Sequence, residues 1–254
     1  MEPPFPSSLP PRTARRQAAG VLVLFYGLVY GTAGLVPHGP QRVVVSMLSI
    51  LVLGAVMLLA VKVFTRRDVS WRGSLALGRQ RVGSVVGWSL VGFAATYAVN
   101  VCLTVGYVLS RGGVEAQAAA RVHWLQHLAE IPAEAILPLA AFVGVWEETV
   151  FRGFLLGRLR AALPAAHTSR ARLLRDAIAV ALCGGCFGAG HGYQGVLGLM
   201  QTTTAGIVLG AVTVWRGSLW PAIGAHLAID AFGLLVIKAV ARALNVGMGG
   251  DFRL

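Results

Sequence analysis

The chain has 254 residues, of which 56% are hydrophobic and 13% are charged, and its mean hydropathy is +0.70. A soluble domain would carry about 25% charged residues, so the composition excludes an ordinary soluble protein and indicates a polytopic membrane bundle. The net charge of +12 does not indicate nucleic-acid binding, because the Arg residues are concentrated between the apolar runs. Cytoplasmic loops of membrane proteins show this excess of Lys and Arg.

Seven apolar runs predict an all-α fold, a bundle of about seven transmembrane helices with eight as the alternative. Residues 1–17 are rich in proline and arginine, and they are predicted to form a disordered cytoplasmic tail. The predicted helices cover residues 18–36, 43–61, 82–110, 131–160, 174–191, 196–214 and 218–241. We divide the chain into the tail, an N-terminal membrane part at residues 18–130, and a core at residues 131–254 within the same bundle.

The basic residues alternate with the predicted spans as the positive-inside rule requires. The loop at residues 62–81 contains five Arg and one Lys against a single Asp, and the loop at residues 158–175 contains five Arg. Both loops and the N-terminus are therefore predicted to be cytoplasmic, in a multi-pass protein of the cell membrane. Within the first loop, residues 71–78 are predicted to lie in the membrane interface, so membrane lipid is an expected partner.

Residues 146–152, Trp-Glu-Glu-Thr-Val-Phe-Arg, place two carboxylates and a guanidinium inside a predicted span. Charged groups there cost ~2.5–3.5 kcal/mol each on insertion scales, and they usually serve a function. Glu148 and Arg152 share a helix face and are predicted to pair. That pair could be purely structural, but Glu147 would then be left without a cation. Glu147 is rotated by ~100° from Glu148 and is predicted to point towards the bundle centre.

Two later spans carry polar residues at the same spacing. Phe187 and His191 share a face of one predicted helix, and His226 and Asp230 share a face of another. Counted at 1.5 Å per residue from the nearest cytoplasmic Arg, Glu147, His226 and Asp230 lie ~15–21 Å deep. His191 lies ~24 Å deep, so it needs a tilted helix or a water-filled cavity to join them.

These side chains are the set that a hydrolase needs. Glu147 is predicted to take a proton from the attacking water, and His191 to orient that water or to bind a metal that acidifies it. His226 is the candidate donor to the oxyanion, and Asp230 could hold the tautomer of a nearby imidazole. Glu147, His191 and His226 could bind a divalent metal such as Zn²⁺, or the site could work without one.

Three motifs thus occur in order, each on a predicted span: Glu147-Glu148-x-x-x-Arg152, Phe187-x-x-x-His191 and His226-x-x-x-Asp230. They resemble the motifs of the CPBP family of intramembrane proteases, to which the type II CAAX prenyl endopeptidase and the bacteriocin-related Abi proteins belong. The likeness covers residues 131–241. It implies a helical bundle with a cavity open to the cytosol, Glu147 as the water-activating base assisted by His191, and His226 with residue 230 near the oxyanion. The third motif of the family often ends in Asn, whereas an ionised Asp230 accepts hydrogen bonds but does not donate them.

Two function classes remain open. The first is an endopeptidase that cleaves a prenylated, signal-like or bacteriocin-type peptide at the membrane, with that peptide and lipid as its partners and no nucleic acid. The second is a non-catalytic scaffold or immunity protein, or a transporter that uses the acidic and His residues as a proton relay. Loss of activity in folded Glu147→Ala or His226→Ala variants would favour the first class, and coupled proton flux would favour the second.

Two residue pairs are interpreted as non-functional. His123 and His127 have the spacing of a metal pair but lack the Glu of H-E-x-x-H, which favours an interfacial helix. Cys183 and Cys186 lie in an apolar helix, which favours packing over redox chemistry. Two pairs of glycines are predicted helix-packing sites, namely Gly83 with Gly87 and Gly206 with Gly210.

Overall fold

The computed structural model describes residues 9–31, 41–66, 68, 70–111 and 128–243, and within these ranges the chain is helical and contains no strand. The all-α prediction is confirmed. The helices are α1 (Pro11–Gly31), α2 (Arg42–Thr65), α3 (Trp71–Ser74), α4 (Val82–Arg111), α5 (Ala133–Glu148), α6 (Leu156–Ala162), α7 (Ser169–Ala189), α8 (Gly195–Arg216) and α9 (Trp220–Ala243). A π-helical segment, Thr149–Leu155, joins α5 to α6, and a 3-10 turn, Gly192–Gln194, precedes α8.

Four of the described helical segments are long and apolar enough to cross a membrane. They are Arg42–Thr65, Val82–Ser110, Gly192–Arg216 and Trp220–Arg242. The remaining predicted spans contain charged residues: α1 and α7 have Arg residues in their first turns, and α5 contains the Glu-Glu motif. The number of seven or eight spans therefore stays a prediction.

Helix α1 begins at Pro11, inside the segment that the sequence predicts to be a disordered tail. Proline is tolerated in the first turn of a helix, where no internal bond needs its missing N–H. Ala14 and Ala18 are buried, and Gln17 donates from Nε2 to the carbonyl of Phe64 at 3.2 Å. These long-range contacts extend the helix, and a local composition rich in Pro and Arg does not reveal them.

Contacts between helix ends define two faces of the bundle. At the first, which we call the basic face, Arg15 donates to a backbone carbonyl at the end of α6 at 3.2 Å. Arg158 on α6 pairs with Asp68 after α2 at 2.8 Å, and Arg216 at the end of α8 donates to Ser84 near the start of α4 at 3.1 Å. The face therefore gathers the start of α1 and α4 and the end of α2, α6 and α8.

The other ends meet at what we call the opposite face. Arg42 at the start of α2 pairs with Glu130, just before α5. Lys238 near the end of α9 donates to the carbonyls of residues 129 and 131 at 3.0 and 2.7 Å. Tyr30 at the end of α1 donates to the carbonyl of residue 189 at the end of α7. Long helices therefore alternate in direction between the two faces.

Helices α7 and α8 approach each other through glycines. A Cβ on Gly206 would lie 2.8 Å from the Cα of Gly184, so neither position has room for a side chain. The predicted packing role of Gly206 is confirmed, whereas Gly83 and Gly87 have no atom within 4 Å of a Cβ and do not pack as predicted. The buried thiol of Cys183 donates to the carbonyl of Phe151 at 3.2 Å, which fits its interpretation as a packing residue.

Candidate active site

The Glu-Glu motif lies where α5 changes into the π-helical segment. The N–H of Leu156 donates to the carbonyl of Phe151, five residues earlier, instead of four. Every residue from 146 to 158 is buried, so this wider turn lies at the centre of the bundle. π-Helical turns are rare and occur frequently at functional sites. The sequence does not predict this π-helical turn, because the Glu-Glu motif and the residues on either side of it have the pattern of one continuous helix.

A buried carboxylate joins two of the predicted site residues. Oε1 of Glu148 accepts from NH1 of Arg152 at 2.8 Å and from Nδ1 of His226 at 2.7 Å. Glu148 and Arg152 form the ion pair that their spacing of four residues predicts. Because a carboxylate only accepts hydrogen bonds, the proton of this bond lies on Nδ1 of His226.

The second nitrogen of His226 faces two further carboxylates. Its Nε2 lies 3.7 Å from Oε2 of Glu147 and 3.5 Å from Oδ2 of Asp230. These distances are too long for good hydrogen bonds and represent charge contacts. One imidazole thus contacts three carboxylates from α5 and α9. Of the three carboxylates, only Glu148 lies within hydrogen-bond reach of this ring, whereas the sequence suggested Asp230 as the partner of a nearby imidazole.

His191 lies at the edge of this cluster, in the connection after α7. Its Nδ1 donates to the carbonyl of Phe187 at 2.9 Å, so Nε2 is the acceptor of the neutral ring. The ring of Phe187 lies 4.6 Å from that of His191 and 6.1 Å from that of His226, measured between centroids. The ring of Phe187 is therefore a neighbour of both imidazoles.

The zinc ligand set predicted as an alternative is not formed. Across the part of the chain that the structure describes, no three His, Cys, Asp or Glu side chains are grouped to hold a metal ion. Zinc needs its nitrogen and oxygen ligands about 2.0–2.2 Å from one point. Nδ1 of His226 binds Glu148, which leaves Nε2 as the only nitrogen of this ring that could face a metal. His123 and His127 lie outside the described residues.

The wall around the ion pair comes from α7 and α8. The guanidinium of Arg152 lies 4.1 Å from the ring centre of Phe187, and a Cβ on Gly206 would lie 3.3 Å from its NH2. Among the described residues, Nε and NH2 of Arg152 and Oε2 of Glu148 are buried without a hydrogen-bond partner. Buried polar atoms are rarely unpaired, and each exception needs an explanation such as a catalytic role.

A family model described as type II CAAX prenyl endopeptidase Rce1-like matches residues 130–232. This segment is less than half of the chain, but it contains all six predicted site residues. Residues 130–232, which we call the Rce1-like core, are similar to membrane proteases of the CPBP family, the family that the three motifs resemble. The protein is a membrane protein. Neither the curated proteins nor the solved structures contain a match to the chain.

One residue of the Rce1-like core that the sequence analysis did not single out is Tyr193. Its ring lies 6.0 Å from that of His191, and the side chain is exposed. A Tyr in a short connection between two helices resembles any interfacial aromatic residue. Its proximity to His191 in sequence was the only signal available.

Proposed function

We propose that the Rce1-like core is an intramembrane endopeptidase, which hydrolyses a peptide bond of a membrane-associated substrate. The observation that supports this most directly is the arrangement around His226, whose ring contacts Glu147, Glu148 and Asp230. A structural ion pair would need only Glu148 and Arg152. The two further acids, Glu147 and Asp230, are not needed for that pair, and clusters of acids around one imidazole are typical of acid–base catalysis.

Glu147 is the general base in this proposal. A water bound to its carboxylate would lie beside Nε2 of His226, because the two groups are 3.7 Å apart. Glu147 takes one proton while the water oxygen bonds to the substrate carbonyl carbon, and the carbonyl electron pair moves to oxygen. Because Nδ1 of His226 already donates to Glu148, a donor at Nε2 requires the imidazolium form, which the three neighbouring carboxylates stabilise. The Nε2–H of this imidazolium donates to the oxyanion. The C–N bond then breaks, and the proton on Glu147 passes to the leaving amine.

The other predicted residues support these two. Glu148 holds the ring of His226 through Nδ1, and Arg152 neutralises Glu148. Both are positioning residues, since neither needs to touch the substrate. Asp230 stabilises positive charge on the ring of His226 from the side of Nε2. His191 orients the attacking water through its accepting Nε2.

The substrate is a peptide held at the membrane, either prenylated or bacteriocin-like, and not a nucleic acid. We infer that the protein lies in the cell membrane with its N-terminus in the cytoplasm, because the basic loops share one face with the start of α1. Anionic lipid is the expected partner of that face.

The test is Glu147→Gln, which keeps the side-chain size and removes the base. Glu134→Gln is the matched control, because Glu134 is an exposed acid in the first turn of the same helix. Purified variants in liposomes are incubated with prenylated and bacteriocin-like peptides, and products are read by mass spectrometry. We expect Glu147→Gln to lose about 10²–10⁴-fold in cleavage rate and Glu134→Gln to match the parent. Undiminished cleavage by Glu147→Gln would show that Glu147 is not the general base. Proton flux without cleavage would favour a transporter.

A further inference from the structure

One guanidinium at the basic face lacks the carboxylate that comparable side chains have. In the described part of the chain, six arginine side chains are at least partly buried. Five of them form ion pairs with Asp or Glu, namely Arg42, Arg152, Arg158, Arg160 and Arg175. The sixth, Arg216, has no acidic partner among the described residues, and its one hydrogen bond goes to a hydroxyl group. Charges that leave water are normally paired, so an anion from outside the chain would complete this site.

The contacts of Arg216 fix its guanidinium at the end of α8. Its NH2 donates to the hydroxyl of Ser84 at 3.1 Å, and its Cζ lies 5.0 Å from the ring centre of Trp88. The ring of Trp88 also lies 6.0 Å from that of Trp215, measured between centroids. Nε and NH1 have no hydrogen-bond partner among the described residues, and of the two only Nε is buried. The guanidinium is therefore held in place by neutral neighbours, with NH1 accessible to a ligand.

Ser84 adds a second donor beside the guanidinium. Its hydroxyl oxygen accepts from Arg216, so its own proton is available, and no described residue accepts it. Asp68 and Asp176, the described acids of this face, pair with other arginines. An N–H group and an O–H group thus point to one place without a carboxylate to compete. Phosphate oxygens suit such a place, because arginine binds phosphate through charge-assisted hydrogen bonds.

The cluster lies at the depth of lipid headgroups. Arg216 ends one candidate membrane span, and Ser84 lies in the first turn of another. Trp215 and Trp220 are exposed beside it, and exposed tryptophans at the ends of spans form the aromatic belt of membrane proteins. The anion that is abundant at this depth is the phosphate of an anionic phospholipid.

The surface of α4 next to the cluster is apolar and uncovered. Gly83 and Gly87 each precede a residue that contacts Arg216, and a Cβ on either glycine would have no described atom within 4 Å. Val86 and Leu90 on the same helix are exposed as well. This surface begins at the headgroup level and continues into the span, so a phospholipid whose phosphate lies at Arg216 has room for an acyl chain along α4.

We propose that Arg216, Ser84 and Trp88 form a binding site for one anionic phospholipid in the leaflet at the basic face. The phosphate binds NH1 of Arg216 and the hydroxyl of Ser84, and an acyl chain lies along α4 beside Trp88. The general attraction of basic loops to anionic lipid is diffuse and depends on the number of charges. The proposed site instead depends on one arginine, and it is independent of the proposed protease function.

The test is the quenching of tryptophan fluorescence by brominated lipid in phosphatidylcholine nanodiscs. The same small fraction of the lipid is replaced by dibrominated phosphatidylglycerol, which is anionic, or by dibrominated phosphatidylcholine, which has no net charge. Trp88 follows the start of α4 by six residues and lies ~9 Å into the span, within reach of bromine on an acyl chain. We expect the anionic lipid to quench the parent protein more strongly, and this excess to fall in Trp88→Phe. Equal quenching by the two lipids would overturn the proposal.

Arg216→Gln tests whether the arginine forms the site. Arg170→Gln is the matched control, because Arg170 is exposed at the start of α7 on the same face and its replacement changes the net charge equally. From the quenching titration we expect Arg216→Gln to weaken phosphatidylglycerol binding about 10-fold more than Arg170→Gln, as the loss of a charged hydrogen bond does. Equal losses in the two variants would show diffuse attraction only and would overturn the site.

Ser84→Ala keeps the charge and tests the site if Arg216→Gln does not fold, which circular dichroism reports. We expect Ser84→Ala to weaken phosphatidylglycerol binding by about 2–10-fold, the effect of one neutral hydrogen bond. Unchanged binding would exclude the hydroxyl from the site. Inorganic phosphate, added to the parent protein in nanodiscs, distinguishes a lipid from a soluble anion. We expect the excess quenching to persist, and its abolition by inorganic phosphate would overturn the lipid as the occupant.

Discussion

Replacing Arg152 by Met tests whether the ion pair at the centre of the bundle stabilises the fold. Both partners are fully buried and their charged atoms lie 2.8 Å apart. Removing one member of a buried pair costs about 3–5 kcal/mol, because the remaining charge is uncompensated. His226 still donates to the same oxygen of Glu148 at 2.7 Å, so we expect a loss near the lower limit, about 3 kcal/mol.

The free energy of unfolding is measured in detergent micelles by SDS titration with tryptophan fluorescence. Arg172→Met is the control, since Arg172 is exposed and bonds only locally to Ser169, and its expected change is within about 0.5 kcal/mol. In the double variant with Glu148→Gln, the two losses should be less than additive, with a coupling of about 1–3 kcal/mol. A loss below about 1 kcal/mol for Arg152→Met, or additivity of the pair, would show that the buried charges are not energetically coupled.

Three further changes follow from the structure. Gly184→Ala should destabilise the bundle by about 1–3 kcal/mol, measured by thermal unfolding, because the added Cβ would lie 2.6 Å from a side-chain carbon on α8. Gly185→Ala is the control and should leave the stability unchanged, because no atom lies within 4 Å of a Cβ there. Arg158→Met should cost about 3–5 kcal/mol in the SDS titration, since it leaves the carboxylate of Asp68 buried without its cation; unchanged stability would contradict this. His226→Gln should lower kcat by about 10²–10³-fold if the imidazole donates to the oxyanion, with helicity by circular dichroism unchanged; a full rate would exclude that role.

The sequence by itself determined the properties that depend on residues close together in the chain. Hydropathy specifies an all-α membrane bundle, because each backbone polar group in a lipid-exposed span must find its partner within a helix. The 3.6-residue period predicts that Glu148 pairs with Arg152, and the cost of intramembrane charge singles out Glu147. The motifs also indicate the family, since the residues of each motif lie within six positions of one another in the chain.

The tertiary structure decided which of these groups meet. Glu148, and not Asp230, holds the ring of His226, because that contact joins helices separated by 78 residues in the chain. Phe187 on α7 lies against Arg152 of the π-helical segment, a contact between residues far apart in the chain that no local pattern predicts.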